Sequence, residues 1–209
     1  MTIKFNQDQY ISPTNKAIFE TMMSTQENPH EKAIKQLLAA PELVKLSQEF
    51  LLEWLQTDDL EAAVLTLKEM QAQNLIKGLK SNPPLVTGAS DEALNACMTK
   101  LSDQACLLAN DQGFQLANAG FVKDHADELA AVAAELNSFH LKRVQQLVDK
   151  GVIDSNIWSI LSHQANSRLS FWPLHTDHQK FILIIKGPTQ FNNNGLLDLA
   201  RVLMNKYNH

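Results

Sequence analysis

Cysteine is scarce in this chain, with only Cys97 and Cys106 among its 209 residues. Both sit in or beside apolar runs and lack metal-ligand spacing, a pattern that favours buried thiols in a reducing compartment over a disulfide. The cytoplasm is therefore the expected location. Long apolar runs are missing too: nothing approaches the roughly 18 uninterrupted apolar residues of a membrane span, and the opening MTIKFNQDQY has no apolar export-signal core. The seven glycines include neither G-x-x-x-x-G-K-[ST] nor G-x-G-x-x-G, so no phosphate loop is expected, and with it no nucleotide cofactor. Basic excess is also absent. Net charge is −5, with 8 Lys/Arg against 11 Asp/Glu in residues 1–88 and 10 against 12 in residues 89–209. Without such an excess to neutralise phosphates, nucleic acid is not an expected partner; another protein or a second copy of the chain is.

What is present is enough for a packed core. The apolar fraction is 44% and the charged fraction 20%, ordinary values for a chain that folds without staples. The length suits two small domains, and the pattern changes where two would meet.

Residues 13–80 read as helix throughout. Ser12-Pro13-Thr14 is a start signal, followed by Ala17, Ile18, Met22 and Met23 at helical spacing. Asn28-Pro29 opens a second helix through Ile34, Leu37 and Leu38 to a break at Pro41. A third runs from Glu42 through Leu43, Leu46, Phe50, Leu51 and Trp54, and a fourth starts at Thr57-Asp58-Asp59 and carries its stripe on to Leu75 and Ile76. Ser81-Asn82-Pro83-Pro84 then halts everything, because a double proline neither continues a helix nor enters a sheet. The reading is an all-α domain over 1–82, a linker over 83–88 and a second domain over 89–209.

The second domain mixes helix and strand. A short helix at 91–101 leads into residues 104–122, QACLLANDQGFQLANAGFV, which read as a β-hairpin. Asn110 and Asp111 suit the turn's start, and Gly113 falls where a type I turn with a bulge needs a positive φ. A helix over about 125–149 follows, with Leu129, Val132, Leu136, Phe139, Val144 and Leu147 on its apolar face, alanines lining its first half, and Gly151 ending it. Strands are expected at 157–164, 168–175 and 180–186. The last holds five consecutive apolar residues, Phe181 to Ile185, the mark of a strand covered on both faces, and Pro173 implies that its own strand is peripheral or bulged there. Asn192-Asn193-Asn194-Gly195 caps a final helix over about 194–207.

The order helix, strand, strand, long helix, three strands, helix over residues 89–209 resembles the Roadblock, or dynein light chain, family. The Asn-Asp-Gln-Gly turn into Phe114-Gln115-Leu116-Ala117-Asn118-Ala119-Gly120, the alanine-rich helix from Ala126, and Asn194-Gly195-Leu196 carry the likeness. It implies an α+β fold, a five-stranded antiparallel sheet sandwiched by helices and profilin-like in outline, with the 181–185 strand central. It also implies that protomers join edge to edge through the 157–164 strand and pack their long helices antiparallel. Leu129, Val132, Leu136, Phe139, Trp158 and Ile160 then form the interface. The implied partners are a second copy of the chain and a small GTPase. In the first domain AVLTLKEMQAQNLIKGL is similar to the last helix of a winged-helix domain. It lacks a clear wing hairpin and is acidic where a DNA reader needs Lys and Arg.

Reactive constellations are thin. His175 and His178 flank a turn and would hold a metal only if His163 from a neighbouring strand joined them; a solvated turn is the plainer reading, so no metal is expected. Cys106, within an apolar strand, reads as a core thiol rather than a nucleophile. Trp54 suits a core, while Trp158 on an edge strand suits an interface. The expectation is a non-enzymatic homodimeric scaffold that regulates or adapts a small GTPase or another cytoplasmic partner. The alternative is a PAS-like ligand sensor, which would need a pocket of roughly 300 Å³ or more.

Overall fold

The computed structural model describes residues 9–24, 29–84, 86, 88, 90–153 and 155–207. The chain divides into two compact units, Met1–Leu85 and Val86–His209. Of the features read from sequence, the opening residues 1–8, Asn28, and residues 85 and 87 of the expected linker lie outside the described residues.

The first unit is not helical throughout. Strand β1, Tyr10–Pro13, precedes helices α1, Asn15–Met23, α2, Pro29–Ala39, α3, Gln48–Trp54, and α4, Leu60–Ala72, and strand β2, Ile76–Leu79, follows them. β1 pairs antiparallel with β2, Pro13 opposite Ile76, and Tyr10 bridges Lys45. Leu75 and Ile76 therefore leave the helix that the apolar stripe assigned them to. Asn74 takes a left-handed φ of 57°, a conformation asparagine tolerates, and so ends α4. Thr14 then ties the two ends together: its backbone N–H reaches the Leu75 carbonyl at 2.9 Å and its hydroxyl the Asn74 carbonyl at 2.6 Å. The same Thr14 hydroxyl accepts from the Ala17 N–H and caps α1. The third helix begins at Gln48 behind a Ser47 cap rather than at Glu42, while Asp59 caps α4 as its position suggested. Trp54 is a core residue, and its indole N–H donates to the Ala33 carbonyl at 2.8 Å.

The second unit is α+β. Helix α5, Asp91–Met98, is followed by β3, Ala105–Asn110, and β4, Gln115–Ala119. Next come α6, Lys123–Phe139, a single π turn, His140–Val144, and α7, Gln145–Asp149. Then come β5, Trp158–Leu161, β6, Ser167–His175, β7, Lys180–Lys186, and α8, Gly195–Tyr207. The sheet is five-stranded and antiparallel in the order β4-β3-β7-β6-β5. This is the topology that the Roadblock resemblance implied, with the 181–185 strand at the centre and the third strand of the unit at an edge.

Local chemistry accounts for the elements. Asn110 accepts from the Gln112 and Phe114 N–H groups through its side-chain oxygen, and Gly113 has φ of +84°. A Cβ at Gly113 would also stand 3.2 Å from the Ala131 Cα, so the turn needs glycine both for its conformation and for its approach to α6. Phe181 to Ile185 are all buried, each worth about 1.5–3 kcal/mol against exposure. Pro173 lies opposite Ile182, beyond the end of the β5 pairing at Trp158 and Phe171, so its missing N–H costs no ladder bond to β5. α8 is buried from Gly195 to Met204. Its one acid there, Asp198, accepts from Lys100 Nζ at 2.6 Å and from the Val86 N–H at 3.1 Å. Burial lowers the pKa of the neighbouring Arg201, and the Asp198 carboxylate opposes that shift.

Candidate functional site

α6 turns its small residues inward. Ala126, Ala130 and Ala133 are fully buried against Leu107, Ala109, Phe171, Ile182 and Ile184 of the sheet. Their spacing of four and three puts them on one stripe, and the absence of side chains beyond Cβ lets the helix lie close on the strands. The larger apolar residues are displaced from that seam. Leu129 and Leu136 are half-buried along one flank of the seam, while Val132 and Phe139 are 47% and 50% exposed. Steps of three, four and three through 129, 132, 136 and 139 repeat the spacing of a helix that packs on another helix. The apolar face read from sequence is therefore real but points largely away from the protein's own core.

His140 continues the alanine seam, seven residues past Ala133, and is buried. Its ring meets β5 and the loop before it. The Trp158 indole N–H donates to His140 Nδ1 at 3.1 Å, and His140 Nε2 lies 3.1 Å from Asn156 Oδ1. The indole nitrogen can only donate, so Nδ1 accepts, the imidazole is neutral, and its proton is on Nε2, which donates to Asn156. Phe139 meets the Trp158 ring edge-on with centroids 6.0 Å apart. These contacts join the end of α6 to the sheet edge. Two residues along, Ile160 is 56% exposed, and on the other side of the strand Leu161 is 55% exposed.

β5 pairs with β6 on one side only, so its outer backbone groups have no ladder partner among the described residues. The six residues singled out from sequence, Leu129, Val132, Leu136, Phe139, Trp158 and Ile160, thus fall on α6 and β5, with Trp158 as the link. His140 and Asn156 were missed. A heptad count along the alanine seam reaches His140, but nothing in the sequence shows that Asn156 closes the network.

The other candidates separate. His163 sits in the β5–β6 turn and His175 and His178 at the β6–β7 turn, at opposite ends of the nine-residue β6, about 30 Å apart at the rise of a strand. Among the described residues no three His, Cys, Asp or Glu side chains converge as metal ligands. Burial pushes both thiols up to about 12, aided at Cys97 by the Asp198 carboxylate, so neither is a nucleophile near neutral pH. The cavity below His140, between α6 and the sheet, is about 10 Å³, room for about one water. Among the described residues no helix is long and apolar enough to cross a membrane.

No family model and no curated protein matches the sequence. Among solved structures, the chain is similar to a Roadblock/LC7 domain from Streptomyces avermitilis at 14% identity. That match covers 57% of this chain and 93% of the other, with a TM-score of 0.35. It is likewise similar to MglB of Myxococcus xanthus at 14% identity, over 59% of this chain and 92% of that one, with a TM-score of 0.34.

Proposed function

We propose that this protein is a non-enzymatic homodimeric platform, a regulator or adaptor on which a small GTPase or another protein partner docks. The observation that carries the reading is the exposure of Val132 and Phe139 on α6 and of Ile160 on β5, with Phe139 against the half-buried Trp158, beside the open edge of β5. An exposed edge strand carrying Ile160 and Leu161 invites uncontrolled pairing, and natural proteins cover or blunt such edges. A second copy covers this one at least structural cost. Two β5 strands related by a two-fold axis pair antiparallel, each with the same patch, and bring the ends of both α6 helices together. The GTPase part of the reading draws on the Roadblock resemblance of residues 89–209. Cysteine thiols held protonated and histidines held apart supply no support for an enzyme.

A ligand-sensing role has less behind it. Within the second unit both faces of the central strand are filled by Phe181 to Ile185 and their neighbours, and its 10 Å³ cavity is far below the roughly 300 Å³ a small-molecule site needs. The larger hollow, about 680 Å³, is an open one in the first unit beside His30, Trp54 and Thr66, away from the sheet a PAS-like sensor would use.

Light scattering on the full chain tests the platform. The expected mass is twice 23.4 kDa at micromolar concentration, and a monomer would sink the reading. Calorimetric titration of a purified small GTPase, loaded in turn with GDP and a GTP analogue, then tests the partner. Binding is expected to the dimer and not to a dimer-deficient variant.

A further inference from the structure

We propose that His140 is the positioning residue of the association face and makes that face depend on proton concentration, its neutral form holding Trp158 in place and its protonated form releasing it. The inference rests on the reading of α6 and β5 as a self-association surface, and it adds a control on that surface.

The geometry leaves the imidazole a single neutral arrangement. Nδ1 accepts from the Trp158 indole and Nε2 donates to Asn156 Oδ1, each at 3.1 Å. Proton uptake from solvent at Nδ1 converts that acceptor into a donor. Two N–H groups then face each other, and the Trp158 indole N–H loses its partner, while the Nε2 bond to Asn156 persists. Histidine is the side chain whose ordinary titration spans about pH 5 to 8.

The small cavity beside the ring has an uncharged lining. That cavity is bounded, besides His140, by Ala133, Leu136 and Asn137 of α6, Asn156 of the loop, Trp158 of β5, Phe171 and Pro173 of β6, and Ile182 of β7, none of them titratable. On its own π turn the charged residues are Lys142 and Arg143, both exposed and both cationic. Among the described residues the ring's hydrogen-bond partners are Trp158 and Asn156, neither of them a carboxylate, so a proton on Nδ1 works against the closed network. Trp158 packs on both Phe139 and His140, so its displacement disturbs α6 and β5 at once.

The test uses the full chain in sedimentation equilibrium at pH 7.5 and 5.5. The dissociation constant of the dimer is expected to rise at least tenfold on acidification. His140→Gln replaces the imidazole with an amide whose oxygen accepts and whose NH₂ donates without taking up a proton; its dissociation constant is expected to stay constant between the two pH values. A pH-independent wild type, or an H140Q variant that weakens as much as wild type, would overturn the proposal and point to another histidine. If H140Q does not fold, Trp158→Phe removes the indole donor and is expected to flatten the dependence; an undiminished dependence counts against the proposal. Nitrogen-15 spectra read the device separately from the dimer. At pH 7.5 His140 should show the Nε2–H tautomer, and on acidification the Trp158 indole resonance should move with the imidazole signals. Should the chain prove monomeric, the platform reading fails, while this co-titration still supports the His140 coupling and an unmoved indole still overturns it.

Discussion

Single residues decide the steep parts of this structure. Gly113 meets two demands at once, a φ of +84° and a position 3.2 Å from the Ala131 Cα for any added Cβ. Gly113→Ala is expected to cost about 1–2 kcal/mol from the left-handed conformation alone, read as a lower urea midpoint at unchanged slope; an unmoved midpoint would show that α6 gives way easily. The two thiols set an alkaline limit. Their folded values near 12 stand above the ordinary 9.0, so between pH 9 and 12 the folded chain keeps protons that the unfolded chain gives up. With fewer protons bound in the unfolded state, stability is full below pH 9 and falls as pH rises toward 12, by a few kcal/mol at order of magnitude. The double variant Cys97→Ala, Cys106→Ala should lose stability less steeply over that window in guanidinium titrations at successive pH values. Parallel slopes for the two proteins would reject the thiols as the cause.

Among the elements, α6 and β5 behave differently from their neighbours because each has a face its own chain does not use. β7 is buried along five consecutive residues, and α8 from Gly195 to Met204. α6 spends alanines on its core and keeps Val132 and Phe139 outside, and β5 leaves one backbone edge open. Phe139→Glu and Ile160→Glu should therefore each weaken self-association at least tenfold, about 1.4 kcal/mol. As an exposed position Ile160 should change folding stability by only about 0.5 kcal/mol, while Phe139→Glu also gives up the edge-on contact with Trp158, about 0.5–1.5 kcal/mol. Sedimentation and thermal melts on the same samples separate the two effects. A melting temperature that collapses together with the dimer would mean that these residues support the fold instead.

For the whole molecule, the proposed dimer predicts a hydrogen-exchange pattern as well as a mass. The amides of β7, central in the sheet, should exchange slowest at any protein concentration. Those of β5 should become protected only as concentration rises into the dimeric range, because their outer partners belong to the second copy. Uniform protection of β5 across a dilution series would deny the edge-to-edge arrangement.

The sequence by itself settled what depends on near neighbours. The Asn110 turn, the Pro29 and Asp59 helix starts, the Gly151 stop and the central 181–185 strand are short-range or compositional signals, and each stands where it was read. So does the order of elements from residue 89 onward, which carried the five-stranded sheet. Tertiary structure decided whatever needed partners far apart in the chain. β1 and β2 become strands because residues some sixty positions apart pair, and IKGL alone has no alternation to announce it. The direction of the α6 apolar face was settled by the sheet, which admits alanine and displaces leucine, valine and phenylalanine from the seam. The neutral state of His140 came from Trp158 and Asn156 converging on one ring, an arrangement fixed by three-dimensional packing and not by spacing along the chain.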